Sequence, residues 1–184
     1  GRVNYSWNDR CLLEVNVRAD GSSRFYKDNR WGIFPSVSAG WRISEESFMK
    51  PVTWINNLKL RASYGTLGNI NNVGYYDYFR LMSSGSNYNF SDTAVKGVVE
   101  AQIPNTSLGW ETVALTDIGL DLDVLDNKLS ISADYYIKNT SDILLGYNVP
   151  RETGIWSNPS LNLGKVRNKG FEMSVTHRNQ IGDF

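Results

Sequence analysis

The chain has 184 residues, and its 19 basic side chains balance 19 acidic ones, so the formal net charge is zero. That balance removes the simplest electrostatic argument for nucleic acid as a partner, and no polybasic run marks a lipid-headgroup site. Cys11 and His177 are the only residues of their types, which excludes an internal disulfide, a cysteine-built metal site and histidine-rich chemistry. We therefore expect no cofactor, no metal site and no catalytic residue.

Taken in chain order, the sequence alternates between apolar and polar residues, which predicts strands with two different faces. The apolar members of the first three segments are Val3, Tyr5 and Trp7, then Leu13, Val15, Val17 and Ala19, then Pro35, Val37, Ala39, Trp41 and Ile43. Those of the later segments are Leu58, Leu60, Ala62 and Tyr64, then Ala114, Ile118, Leu120 and Leu122, then Leu129, Ile131, Ala133, Tyr135 and Ile137, then Phe171, Met173 and Val175. We predict about seven antiparallel strands.

The polar faces of these strands carry charges at mid-strand. Arg61, Asp117, Asp121 and Asp134 are the clearest examples, and such charges need water or partners on their side of the sheet. The apolar faces extend over roughly nine to eleven residues, the length at which a tilted strand crosses a bilayer. We therefore expect these four charges to face the water-filled lumen of a barrel. An acid–base or calcium cluster of the aspartates is the alternative.

The predicted connections alternate between short and long. The short ones are 8–10, 44–57 and 125–128, with 44–57 a turn-plus-helix connector, and the long ones are 20–31, 67–109 and 139–168. Outer-membrane barrels have short periplasmic turns and long extracellular loops. On this interpretation Trp7 and Trp41 lie at the periplasmic interface, where aromatic side chains are favoured. A last turn at 179–182 leads into an eighth strand that begins at Asp183 and Phe184.

The predicted fold is all-β: an antiparallel transmembrane β-barrel segment in the cell outer membrane of a Gram-negative bacterium, in contact with outer-membrane lipid. The sequence has no stretch of about 18 apolar residues, so a transmembrane helix is excluded. The main alternative is a secreted soluble β-sandwich, a carbohydrate-binding or adhesin domain, in which the apolar face covers a core. The regular separation of short and long connections favours the barrel, because a sandwich has no reason for it.

Several ordered motifs resemble those of one family. They are RADGSSRF at 18–25, WGIFPSVSAGWR at 31–42, LKLRASYG at 58–65, GN at 68–69, WET at 110–112, GLD at 119–121, DYY at 134–136 and GKVRNKGFE at 164–172. Together they resemble the barrel of SusC/RagA-type TonB-linked outer-membrane proteins of Bacteroidetes, which are TonB-dependent receptors. The motif before Trp110 departs from the family, since Asn105-Thr-Ser stands where a proline–acidic pair is more usual.

The resemblance implies a roughly 22-stranded barrel with a plug domain, a TonB-contacting segment upstream and a SusD-like surface lipoprotein as a lid. It also implies uptake of large nutrients, namely glycan or peptide substrates, and no enzyme activity. We expect residues 1–184 to be a partial barrel domain from the C-terminal barrel, with the plug domain and signal peptide absent, as a first residue other than Met suggests. A passive outer-membrane porin is the alternative within transport, and a plug and TonB segment in the whole gene would separate the two.

Aromatic residues concentrate in the long connections. Tyr75, Tyr76, Tyr78 and Phe79 lie in the connection 67–109 and Trp156 in the connection 139–168. Such rings stack on sugars or pack against a partner protein, so they are candidate ligand- or lid-contacting residues. Packing of each loop onto itself or the lid is the interpretation that we favour.

Overall fold

The structure, a computed structural model, describes residues 1–154 and 157–179, and they are almost entirely β-structure. The main sheet has seven antiparallel strands in the order β1-β2-β3-β4-β9-β10-β11. Their bounds are β1 Arg2–Trp7, β2 Cys11–Gly21, β3 Trp31–Arg42, β4 Ile55–Asn69, β9 Glu111–Val124, β10 Leu129–Gly146 and β11 Ser160–His177. The all-β antiparallel prediction is confirmed. The sheet is open, with β1 and β11 at its edges.

Four short strands lie in the long connection between β4 and β9, where the sequence predicted only a loop. They are β5 Met82–Ser84, β6 Tyr88–Phe90, β7 Thr93–Val95 and β8 Val98–Glu100. Pairing of β5 with β8 and of β6 with β7 makes one nested hairpin. Ser91 and Asp92 form its tip with positive φ angles of 45° and 68°, as a tight hairpin turn requires.

The connections separate the two ends of the sheet. One end, the short-turn end, holds the turns 8–10 and 125–128 and the connector 43–54, and the other, the long-loop end, holds the connections 22–30, 70–110 and 147–159. In the turn 8–10, Asn8 and Asp9 adopt left-handed φ angles of 50° and 54°, which short polar side chains tolerate. The predicted alternation of short and long connections is therefore present only in part, because the connector 43–54 at the short-turn end is longer than the connection 22–30 at the other end.

The connector at 43–54 contains no α-helix, so the turn-plus-helix prediction is wrong there. A 3-10 helix covers only Ile43–Glu45, and turns follow it. Glu46 does not continue the helix. Its carboxylate accepts hydrogen bonds from Arg10 at 3.4 Å and from the Trp41 indole at 3.2 Å. Pro51 lacks a backbone N–H and prevents a helix from continuing past it.

The predicted loop at 139–168 is also wrong in its extent, because β10 and β11 continue through most of it. Their ladder reaches the pair Gly146↔Ser160, so the connection is only 147–159. A bulge interrupts the ladder after Thr140, where Asp142 has a φ of 57°. Backbone pairing itself requires no apolar alternation, so the polar residues of this extension, such as Ser141, gave no strand pattern in the sequence.

The register places most of the apolar residues of the seven strands on one surface, although Leu12, Phe34 and Leu115 lie on the other. One row of directly opposed residues runs Tyr5, Leu13, Ala39, Ala62, Ile118, Tyr135 and Phe171. The next row on the other surface runs Asn4, Glu14, Ser38, Ser63, Asp117, Tyr136 and Gly170. We call these surfaces the apolar face and the polar face. The predicted turn at 179–182 and the strand from Asp183 fall beyond residue 179, outside the described residues.

The apolar face is exposed, and the buried core of the chain lies elsewhere. Ile118, at the centre of this face, is 53% exposed. The buried hydrophobic cluster is instead at the long-loop end, where Phe25, Val73, Leu108 and Leu144 pack together. Among the described residues, no helix is long and apolar enough to span a membrane.

Candidate functional site

Three charged side chains form a network at the centre of the polar face. The Arg61 guanidinium donates to both carboxylate oxygens of Asp121, at 2.8 and 3.0 Å, and to Asp134 at 2.9 Å. The Ser132 hydroxyl donates to Asp121 at 3.0 Å. The three charged side chains keep only 25–33% of their surface exposed, and one cation against two carboxylates leaves the network with a net negative charge.

The strand register explains why these residues meet. Arg61 pairs with Gly119, and Gly119 pairs with Asp134, so the three lie in one row. Gly119 has no side chain between them, and the guanidinium extends over it to reach Asp134. A β-carbon at Gly119 would contact the Asp134 carboxylate and come within 2.8 Å of an Arg61 nitrogen. A side chain at this position would therefore push the two charged groups out of their present contact.

We expect Gly119→Ala to destabilise the full-length protein by about 1–3 kcal/mol, because the added methyl group has no space beneath the network. Urea unfolding in lipid vesicles measures the change in the free energy of unfolding. Gly146→Ala is the matched control, since nothing lies within 4 Å of a β-carbon added there. Equal effects of the two substitutions would contradict this account of the network.

The four charges predicted on the polar face all lie on it. The structure brings Arg61, Asp121 and Asp134 together, whereas Asp117 stands one row away, opposite Ser63, beside a concavity of about 410 Å³. Sequence reasoning missed Ser132 and Gly119, although both occur at polar-face positions of the alternation. That these charges face a lumen stays a prediction.

At the long-loop end, aromatic rings close over the polar face. Phe34 packs above Gly32 and Gly68, and its ring meets Trp110 at 5.5 Å between centroids. Trp110 in turn packs against Phe25 at 5.2 Å. The rings thus join the sheet to the buried cluster of Phe25, Val73, Leu108 and Leu144, which we call the loop core.

Hydrogen bonds fasten the three long connections to one another around the loop core. Arg24 donates to the Val73 carbonyl at 3.0 Å, and Asn29 donates to the Leu108 carbonyl at 3.1 Å. The Ser157 hydroxyl donates to the Ala101 carbonyl at 2.7 Å, which links the connection 147–159 to the connection 70–110. The connections therefore form one body that is anchored on the sheet.

The predicted aromatic residues form a partly exposed cluster on this body. Tyr78 lies 4.4 Å from Phe79 and 6.2 Å from Tyr26 between ring centroids, and Tyr76 lies 6.1 Å from Phe79. We call Tyr26, Tyr76, Tyr78 and Phe79 the aromatic platform. Tyr76 is 61% exposed and Phe79 48%, so part of the platform is available for contact.

Of the remaining predicted residues, Tyr75 does not join the platform. Tyr75 is exposed and stacks instead beneath the Arg24 guanidinium, 4.3 Å from the ring centroid. Trp156 lies outside the described residues. The platform rings contact one another and stay partly exposed, and their contact with a ligand or a lid stays a prediction.

The apolar face carries indole rings toward the short-turn end. Trp7 and Trp41 flank Cys11 in one row and are 58% and 40% exposed, and Trp54 is 59% exposed in the connector. Rings at one end of an apolar strand surface are typical of a membrane–water interface. No group of three or more metal-binding side chains occurs in residues 1–154 and 157–179.

Comparison with known proteins covers the whole chain. A family model described as TonB dependent receptor-like, beta-barrel matches residues 1–184. The TonB-dependent receptor P39 of Formosa agariphila is 41% identical over 174 residues, which is 95% of this chain and 16% of that protein. The TonB-dependent receptor SusC of Bacteroides thetaiotaomicron is 36% identical over 178 residues, again 95% of this chain, and 18% of that protein.

Solved structures agree with the sequence matches. The RagAB peptide importer in its closed-closed state superposes with a TM-score of 0.84 at 31% identity, covering 99% of this chain and 20% of that one. Its open-open state gives the same TM-score at 30% identity. The relatives named here are receptors and importers rather than enzymes, and the chain spans a fifth or less of their length. The chain belongs to the TonB-dependent receptor β-barrel family, among relatives of SusC and RagA.

Proposed function

We propose that this chain is a strip of wall, with its loops, from an outer-membrane TonB-dependent transporter that imports large nutrients, oligosaccharides or peptides. Residues 1–184 form part of the barrel domain in this proposal, and the plug and the TonB-contacting segment belong to other parts of the protein. The observation that carries it is the pairing of one continuous apolar face with one charged face across seven strands. The likeness to SusC and to the RagAB peptide importer supports it.

The two faces give this wall its orientation. The apolar face meets lipid and the polar face meets the lumen, because Arg61, Asp121 and Asp134 need hydrogen-bonding surroundings that hydrocarbon does not offer. The short-turn end with its indole rings faces the periplasm, and the long-loop end faces outward.

The partner that we propose at the long-loop end is a SusD-like surface lipoprotein acting as a lid. Exposed aromatic residues are typical of the centres of protein interfaces, and the backbone of the platform rings Tyr76 and Phe79 is held by the Gln102 side chain, which donates to both of their carbonyls at 2.9 and 3.1 Å. The nested hairpin adds Tyr88 and Phe90, exposed by 66% and 61%. Glycan or peptide cargo would pass beneath these loops.

Uptake in living cells tests the proposed function. The full-length gene is deleted and restored in its own host, and import of fluorescent oligosaccharides and peptides is measured with and without TonB. We expect the protein in the outer-membrane fraction and import that needs both the gene and TonB. Import that continues without TonB would indicate a passive porin, and a product in the aqueous fraction would indicate a soluble domain.

The aromatic platform is tested in the same assay. We expect Tyr76→Ala with Phe79→Ala to weaken association with the lid lipoprotein or cargo at least tenfold, because two exposed rings at an interface centre each contribute about 1–2 kcal/mol. Pull-down of the lipoprotein and uptake rates measure the loss. Tyr147→Ala is the control, since Tyr147 is an equally exposed ring (53%) outside the platform. If the double variant binds the lipoprotein and takes up cargo as the unmodified protein does, the rings only pack the loop.

A further inference from the structure

Three cations lie together on one face of β11. Lys165, Arg167 and Lys169 alternate along the strand with Val166 and Asn168, and all three cations are exposed. Because successive side chains of a strand point to opposite faces, they share the apolar face with Phe171, Met173 and Val175. In the sequence they form no run of basic residues, and only the strand geometry aligns them.

The cations begin where the apolar belt ends. On β10, Ile137 is the last apolar residue of that face before the polar Asn139. Lys169 pairs with Ile137, and Arg167 pairs with Asn139. Phe171, two residues nearer the short-turn end, pairs with Tyr135. On the orientation of the proposed function, this position is the boundary between the hydrocarbon and the headgroups of the outer leaflet.

No carboxylate neutralises these cations within the described part of the chain. The ion pairs there involve Arg2, Arg10, Arg18, Arg61 and Arg80. Asp134 and Glu172, which pair with each other across β10 and β11, lie on the polar face. Asp142, in the bulge of β10, forms no ion pair.

The cations are close enough to repel one another. Side chains two residues apart on a strand are separated by roughly 6.6 Å, which is inside the Debye length of about 8 Å at physiological salt. Arg167 donates its Nε to Asn139 at 2.6 Å, which orients the guanidinium and leaves its two terminal nitrogens for another acceptor. A doubly charged oxyanion is the group that best satisfies such an arrangement.

We propose that Lys165, Arg167 and Lys169 bind the phosphate groups of a glycolipid in the outer leaflet of the outer membrane. The inference rests on the proposed function for the membrane position of β11. The apolar residues directly below, Phe171 and Met173, meet the acyl chains of the same lipid. The Arg167 fork contacts phosphate in two places, and the lysines add point charges on either side.

Lipid binding to the purified full-length transporter tests the proposal. Native mass spectrometry titrates the protein with diphosphoryl lipid A, with its dephosphorylated form and with inorganic phosphate. We expect the combined variant Lys165→Gln, Arg167→Gln and Lys169→Gln to bind diphosphoryl lipid A on the order of 100-fold more weakly. The control removes three positive charges elsewhere, by Lys50→Gln, Lys128→Gln and Lys138→Gln, and keeps the affinity of the unmodified protein.

Each other outcome overturns the proposal. Equal affinity of the triple variant and the control excludes the site, and equal binding of dephosphorylated lipid excludes phosphate recognition. If inorganic phosphate binds as tightly as lipid A, the site recognises free phosphate and not the lipid. If the triple variant does not fold, Lys169→Gln alone is expected to bind diphosphoryl lipid A about fivefold more weakly. Unchanged affinity of this single variant would also exclude the site. Membrane fractionation and uptake of the same variants report separately on the proposed function.

Discussion

Ala62→Arg in the full-length protein is expected to destabilise the protein folded in a bilayer, lowering its free energy of unfolding by about 2–4 kcal/mol. Ala62 lies at the middle of the apolar face, between Ala39 and Ile118 in one row, and an arginine at bilayer depth on a barrel costs about this much. Urea titration of the protein refolded into vesicles measures the loss. The effect should be large because the neighbours in the row offer no carboxylate.

Ser63→Arg is the matched control at the adjacent position. Ser63 is also a small residue in the middle of β4, but it lies on the polar face opposite Asp117. An arginine there gains a carboxylate partner across the strand, so the expected change is within about 0.5 kcal/mol. Similar losses for the two variants would mean that the faces do not meet different surroundings.

Phe25→Ala is expected to open the loops at the long-loop end while the sheet stays folded. Phe25 is fully buried, at 0% exposure, in the loop core with Leu108, also at 0%. Removing a buried phenyl group costs about 3–5 kcal/mol, which exceeds what the few hydrogen bonds of Arg24 and Asn29 can restore. Hydrogen exchange should therefore rise in 22–30 and 70–110 but not in the seven strands.

Phe90→Ala provides the control for that result, since Phe90 is 61% exposed in the nested hairpin. We expect its exchange pattern to match that of the unmodified protein outside the hairpin. Faster exchange throughout the sheet in Phe25→Ala would show that the loop core and the sheet unfold together. In that case the loops and the sheet would form one cooperative folding unit.

The sequence predicted the strands of the sheet well wherever alternation was complete. Strands β2, β3 and β9 each have one apolar face, and the alternation of residues such as Val15 and Ile118 with polar neighbours shows that face directly in the sequence. The prediction failed at the outer parts of β10 and β11, where the ladder continues beyond Thr140 through a bulge. Backbone hydrogen bonds hold that part together, and they leave no hydrophobic pattern. The sequence did not predict the nested hairpin, for the same reason.

The polar-face network was predictable only in part. Alternation assigned Arg61, Asp121 and Asp134 to one face, because their parity within each strand is a local property. Which of them touch depends on how β4 is aligned against the hairpin of β9 and β10, and Arg61 of β4 meets Asp121 and Asp134 across 60 and 73 residues of sequence. The role of Gly119 follows from the register too, so a single sequence could not reveal it. The cations of β11 were missed because they are not adjacent in the chain.

Spin labelling along β10 tests the central claim most directly: that this chain is a wall between lipid and a polar lumen. Single cysteines are placed in a cysteine-free full-length protein in vesicles at Ser130, Ile131, Ser132, Ala133, Tyr135 and Tyr136. We expect collision with oxygen, which concentrates in hydrocarbon, at the apolar-face positions Ile131, Ala133 and Tyr135. The polar-face positions should instead collide with a water-soluble nickel chelate. Apolar-face labels that meet neither reagent would show a face buried in a protein core, and the account of a membrane wall would then be wrong.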